Sequence, residues 1–286
     1  MKRFTALQLL LGCALSAAVT SGLLLGVRAM GWHRAWLQTA HRREPSAGAH
    51  DADWAREAQQ AYQAIVARRD LALPPEQQTQ IAKAIYQLEI WTRTWWLGIP
   101  VAKNPCDLWM MQQIMQEIRP DYIIEAGTCQ GGAALYFAHL LDGMGLAHSK
   151  VITIDIEDQC QEAARHRLWR EKVEFILGSS TDPSVVARVR QRVQGKTVMV
   201  SLDSDHHCSH VLEELKCYSD LVSPGSYLVV EDTNVDGVPV LPEFGPGPMA
   251  AVRKFLQTEQ GQAFTQDCSR EAMVLTFNPG GWLKKR

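Results

Sequence analysis

"IIEAGTCQGGAAL", Ile123 to Leu135, joins a short apolar run to a carboxylate, three glycines and the apolar start of a further segment. An apolar run ending in Glu125 and Gly127 reads as a strand buried on both faces, and Gly131-Gly132 reads as the turn that opens a helix running to about Leu141. Glycines at such a turn let a ligand approach the backbone closely. The neighbours decide which ligand. A triphosphate loop needs a lysine after its last glycine, where this chain has Ala133, and the dinucleotide fingerprint needs a glycine where it has Cys129. Glu125 beside the turn would repel phosphate and suits an amino group or a sulfonium.

Around this stretch the pattern alternates. A helix from about Asp107 to Ile118 precedes it. "KVITIDI", "VEFILGSS", "TVMVSLD" and "SYLVVED" read as strands, with a charged helix from Gln159 to Trp169 and the helices "SHVLEELKCYSDLV" and "GPMAAVRKFLQ" among them; "AMVLTFNP" reads as a late strand. Apolar strands separated by helices imply crossover connections and a mostly parallel sheet covered on both faces, an α/β doubly wound architecture. Ligands bind such sheets beyond the carboxyl ends of the strands. Glu125-Gly127, Asp155, Gly178-Ser179, Asp203 and Glu231-Asp232 fall at five such ends. Asp155 is placed to accept hydrogen bonds from ribose hydroxyls. A ribose with a cationic amino-acid tail describes S-adenosylmethionine.

The net charge of −2 and pI near 6.5 supply no basic face for nucleic acid. The seven cysteines form no Cys-x-x-Cys pair, so neither a zinc ribbon nor a disulfide framework is expected. The N-terminus differs in kind. "FTALQLLLGCALSAAVTSGLLLGV", Phe4 to Val27, carries no charge. It is longer than the apolar region of about 7–15 residues in a cleaved signal, and long enough to cross a hydrocarbon core of about 30 Å. It therefore reads as a retained membrane anchor. Arg28, Arg34, Arg42 and Arg43 behind it outnumber Lys2 and Arg3, which orients the body to the cytosol. Residues 1–30 are thus expected to form the anchor or a signal segment, and 31–95 a linker with N-terminal helices, one from Ala52 to Arg69 and one from Pro74-Pro75 to about Trp95. Residues 96–286 form the catalytic domain. Trp91, Trp95 and Trp96 read as packing for the second helix rather than a binding cage.

The segments "IIEAGTCQGG", "VITIDIE", "ILGSSTD", "VSLDSDHH" and "GSYLVVEDT" follow one another as in the class I methyltransferases. More narrowly, the stretch from "WWLGIPVAKNPCDLW" to "VPVLPEFGPGPMAAVRKFL", Trp95 to Leu256, resembles the cephalosporin hydroxylase/rhamnosyl O-methyltransferase family. The resemblance implies a Rossmann-like fold, S-adenosylmethionine as methyl donor and Mg²⁺ or another divalent cation. It implies that Glu125, Gly127 and Gly131, with Thr128 beside them, hold the methionine part, Asp155 the ribose, and Ser179 or Ser180 the adenine edge. The acceptor it implies is a hydroxyl of a small molecule or a lipid-linked sugar; the family's double name also leaves a hydroxylase open.

The metal has its own physical case. Mg²⁺ takes hard oxygen ligands and needs only a few carboxylates. Asp203 and Glu231-Asp232 end consecutive strands and can face each other, in a pattern similar to catechol-type O-methyltransferases. There a lysine three residues past the aspartate is the base; here that place is His206, and Asp205 could replace Asp203 as ligand. Asp205-His206-His207 also matches the short signature of DHH phosphoesterases, and Asp203, His206 and His210 make an iron triad only with strained spacing. A protein that binds a nucleoside without turnover would use the same donor residues.

Overall fold

The computed structural model describes residues 73–273 and 275–286. The elements below belong to the compact unit Arg68–Arg286. The expected helix from Ala52 to Arg69 lies outside the described residues.

Helix α1 (Pro75–Gln87) is shorter than expected, because Glu89 turns left-handed at φ 50° and only a single 3-10 turn, Ile90–Arg93, follows. A two-stranded hairpin comes next, β1 (Trp95–Trp96) with β2 (Ile99–Pro100). Helix α2 (Pro105–Ile118) starts where Asn104 accepts a hydrogen bond from the Cys106 amide at 3.0 Å and Pro105 supplies a fixed φ at the first position. Then alternate β3 (Tyr122–Ala126), α3 (Gly132–Gly143), β4 (Lys150–Asp155), α4 (Arg167–Lys172), β5 (Val173–Leu177), α5 (Pro183–Arg192), β6 (Val198–Leu202), α6 (Cys208–Tyr218) and β7 (Tyr227–Val230). Helix α7 (Pro248–Phe255) and strands β8 (Phe264–Gln266) and β9 (Trp282–Lys285) complete the order.

The sheet runs β5-β4-β3-β6-β7-β9-β8, parallel from β5 through β7 and antiparallel on both sides of β9. Neighbouring residues on a strand face opposite sides, and both sides are apolar. Ile123, Val151, Met199 and Val229 pack under α2 and α3, while Ile124, Ile152, Val200 and Leu228 pack under α5, α6 and α7. The expected doubly wound sheet is therefore present. Strand order reverses between β3 and β6, and a crevice opens at such a switch point beyond the strand ends. The opening stretch of sequence lies there.

Two expectations are corrected. The membrane-spanning segment, and the membrane-anchored location with a cytosolic body built on it, are not supported: among the described residues no helix is long and apolar enough to cross a membrane. The longest of them, α2, has 14 residues, against the roughly 20 apolar ones a crossing takes. The stretch from Phe4 to Val27 itself lies outside the described residues. The described residues of "AMVLTFNP" form no strand; a 3-10 turn at Cys268–Glu271 precedes them, and β9 takes the place in the sheet.

Candidate active site

Gly127 sits at the tip of β3 with φ 95°, and a Cβ there would stand 1.9 Å from the carbonyl oxygen of Asp203. Only glycine allows β3 and β6 to end so close together. Gly131, at φ 84°, caps α3 against the ring of Trp169 in the same way. Between them the Thr128 and Cys129 amides donate to Asp155 Oδ2 at 2.9 and 2.8 Å, so the carboxylate at the end of β4 fixes the turn at the end of β3. Gly127, Thr128, Cys129 and Asp155 line a cavity of about 420 Å³ together with Ser179, Ser180 and His210, whereas Gly131 does not line it.

Two expected donor residues are buried and already hydrogen-bonded. Glu125 is wholly buried beneath the turn and accepts from Thr153 Oγ1 at 2.7 Å; its Oε1 has no partner. Burial pushes its carboxyl up to about 8, although Lys103 pulls in the other direction. Ser180 is buried as well, and its hydroxyl donates to Glu214 Oε1 at 2.5 Å. The side chain that fronts the cavity there is His210, whose Nε2 lies 3.2 Å from Ser180 Oγ and 3.4 Å from Glu214 Oε1. The hydrogen bond to Glu214 raises its pKa.

A second cavity, about 210 Å³, adjoins the first and shares Ala102, Lys103 and Asp203 with it. One ligand atom each from Asp203, His206 and Asp232 lies within 4.8 Å of the others, with His206 Nε2 at 3.3 Å from Asp232 Oδ2. Glu231 turns away from this trio; its Oε1 accepts from Ser201 Oγ at 2.5 Å and from Lys103 Nζ at 2.7 Å. Lys103 also reaches Asp203. Burial alone would lower the pKa of its ammonium group, but Asp203, Glu231 and Glu125 outweigh burial and hold it charged. Asp203, Glu231 and Asp232 are each raised, first by burial; the mutual repulsion of the acids adds to this, against the pull of Lys103 and His206. Asp205 stands apart, receiving the His207 amide at 2.8 Å. His210 faces the other cavity, so no iron triad with Asp203 and His206 forms.

The profile of the rhamnosyl O-methyltransferase/CmcI family matches residues 88–286. Rhamnosyl O-methyltransferase of Mycobacterium bovis (strain BCG / Pasteur 1173P2) is 40% identical over 199 residues, which are 68% of this chain and 79% of the relative. The chain belongs to this family. Its Mycobacterium leprae (strain TN) counterpart is 35% identical over 201 residues, 69% and 85% of the two chains. Among solved structures, CmcI with Mg and SAM superimposes with a TM-score of 0.53 at 18% identity, covering 85% of this chain and 88% of that one; at that identity the likeness speaks for the fold alone. The expected class, an S-adenosylmethionine-dependent O-methyltransferase of class I fold, is borne out by the family.

Lys103, Asp107, Glu214 and Asn278 were not singled out by the sequence pattern. Each is buried and polar, and each takes its meaning from a partner on another element. Trp91, read as packing, does pack against Tyr86, with ring centroids 4.5 Å apart, yet it also lines the acid-walled cavity.

Proposed function

We propose that this chain moves the methyl group of S-adenosylmethionine onto a ring hydroxyl of a sugar, with the donor in the larger cavity and the acceptor in the smaller. The shared wall of Ala102, Lys103 and Asp203 carries this reading, because it lets the two substrates meet at one carboxylate. Gly127, Thr128 and Gly131 form the turn that takes the methionine part, with Glu125 buried below it. Asp155 holds the ribose. The adenine end lies against Ser179 and His210, with Ser180 acting through His210 and Glu214.

The acid set fits a divalent cation: three carboxylates face a single buried lysine, an excess of negative charge that a cation would balance. Asp203 and Asp232 would hold Mg²⁺, with Glu231 behind them. When bound, such an ion lowers the pKa of a coordinated hydroxyl. His206 is the base. Its imidazole takes the hydroxyl proton as the oxygen attacks the methyl carbon; the O–CH₃ bond forms, the S–CH₃ bond breaks, and the sulfonium leaves as a neutral thioether.

The relatives are named rhamnosyl O-methyltransferases, which makes methyl α-L-rhamnopyranoside the first acceptor to try. Mass spectrometry of that glycoside after incubation with protein, S-adenosylmethionine and Mg²⁺ should show one methyl increment, lost in excess chelator. No increment on any rhamnoside with donor bound would count against the reading.

A further inference from the structure

The smaller cavity is amphipathic in a particular way. One wall holds Asp203, His206 and Asp232; the other holds Tyr86, Trp91 and Phe277. The three rings pack on one another, with centroids 4.5 Å apart for Tyr86–Trp91 and 5.8 Å apart for each of the other two pairs. They come from three separate elements: the last turn of α1, the 3-10 turn after left-handed Glu89, and the backbone before β9, where the Phe277 amide donates to Asp107 Oδ2 at 2.8 Å. At the mouth, Leu241 is 44% exposed and held at φ 45°. A bulky side chain in that conformation is strained, and such strain collects at ligand-binding sites.

Asn278 also lines this cavity. It is 1% exposed, and its Oδ1 accepts the Asp232 amide at 2.9 Å, which fixes which end of the amide is nitrogen. That leaves Nδ2 as a buried donor without a partner. An unmet buried donor is costly, and a ligand hydroxyl would relieve it. A purely apolar acceptor would not. At about 210 Å³ the cavity is also below the size that holds a drug-sized ligand.

We infer that the acceptor site is built for one glycosyl ring, which lays its apolar C–H face on Trp91, Tyr86 and Phe277, gives a hydroxyl oxygen to Asn278 Nδ2, and turns the reacting hydroxyl to Asp203 and His206. This rests on the reading of the site as a sugar O-methyltransferase and adds its specificity residues. The rings set acceptor binding and leave the donor side untouched.

The test compares the full chain with Trp91→Ala and Trp91→Phe, using methyl α-L-rhamnopyranoside and catechol as acceptors and calorimetry for S-adenosylmethionine. Stacking of this kind is worth about tenfold in affinity. Trp91→Ala should raise the KM for the rhamnoside by about that factor with kcat little changed, since ring stacking is uniform binding. Trp91→Phe should restore most of it, and donor affinity should stay level in both. An unchanged KM, a parallel fall in donor affinity, or a preference for catechol over the glycoside would overturn the inference while leaving methyl transfer intact. No transfer to any glycoside by the unaltered chain, with donor bound, would remove the sugar reading itself. Should Trp91→Ala fail to fold, Tyr86→Leu keeps most of the volume while removing a flat ring face, and the same rise in KM is expected.

Discussion

Lys103 Nζ lies 2.7 Å from Glu231 Oε1, and both side chains are almost wholly shielded from water. The lysine stands just before α2 and the glutamate just past β7, 128 residues along the chain. Removing one partner of a buried ion pair leaves the other charge uncompensated, at a cost of about 3–5 kcal/mol. Lys103→Met should therefore lower the melting temperature on the order of 10 °C for a unit of this size. Mg²⁺ should return part of the loss, and more than it gives the unaltered chain, because the variant has no competing internal cation. Calorimetric melting with and without chelator checks both. Equal melting temperatures for variant and parent would mean that Lys103 does not hold the acids together.

Gly127→Ala tests the turn. The added methyl group would meet the Asp203 carbonyl at 1.9 Å, backbone that cannot step aside without moving the end of β6. The positive φ adds about 1 kcal/mol or more of strain. Donor binding should become undetectable by calorimetry and methyl transfer should fail with it. A folded variant with parental donor affinity would show that the turn tolerates displacement.

Stability should fall with rising pH across the neutral range. Burial raises the Asp107 carboxyl from its ordinary 3.8 to about 8. A folded-state pKa above the unfolded one means that the native state binds the extra proton, so the contribution is complete below the unfolded pKa and is lost as pH rises through the folded one. Between about pH 4 and pH 8 each such group removes up to about 1.4 kcal/mol per pH unit. Asp107→Asn keeps an acceptor for the Phe277 amide and has no charge to bury. Its denaturant midpoint should change less from pH 5 to pH 8 than that of the parent, in which Glu125 and Asp107 both contribute. An identical pH profile would contradict this.

How much of this was legible in the sequence follows from how far each signal reaches. The parallel strands carry apolar runs, and the acids and glycines at their ends are local, so the sheet, the glycine turn and Asp203 with Asp232 could be read directly. β9 could not. "AMVLTFNP" has the right composition for a strand, but the Phe277 amide goes to Asp107 and Asn278 Oδ1 takes the Asp232 amide, which leaves that segment no ladder to join. Helix α5 went unread because three arginines, Arg188, Arg190 and Arg192, obscure a face that only Val185 and Val189 bury. Lys103 has nothing distinctive around it. Its partners Asp203 and Glu231 lie 100 and 128 residues away, and only the fold brings them together.

Donor binding gives a separate expectation at Asp155. Its Oδ2 receives two amides of the glycine turn and its Oδ1 the Glu157 amide at 3.1 Å, so it positions the turn as well as offering a carboxylate to the ribose. Asp155→Ala should weaken S-adenosylmethionine binding by about 1.5–3 kcal/mol, the range for losing hydrogen bonds to a charged group. Asp155→Asn keeps an acceptor for the amides and should lose less. Equal losses in the two variants would mean that the charge, and not the turn, is what matters.

The last expectation separates base from ligand. His206 Nε2 is 3.3 Å from Asp232 Oδ2 and within 4.8 Å of the Asp203 oxygen, so it could serve the proton or the cation. Mg²⁺ prefers oxygen to nitrogen, which leaves the imidazole free for the proton. His206→Ala should then lower kcat by roughly 10²-fold and leave Mg²⁺ affinity, measured by calorimetry, nearly unchanged. Asp203→Asn removes one charge and one strong oxygen ligand at constant shape, and should weaken Mg²⁺ at least tenfold while donor affinity holds, since Asp203 meets the donor only through the wall the two cavities share. Should His206→Ala instead abolish Mg²⁺ binding, the histidine is a ligand, and the proton must leave by Asp203 or Asp232. Both line this cavity, and burial raises their carboxyls above the ordinary range, which makes each a stronger base than an exposed carboxylate.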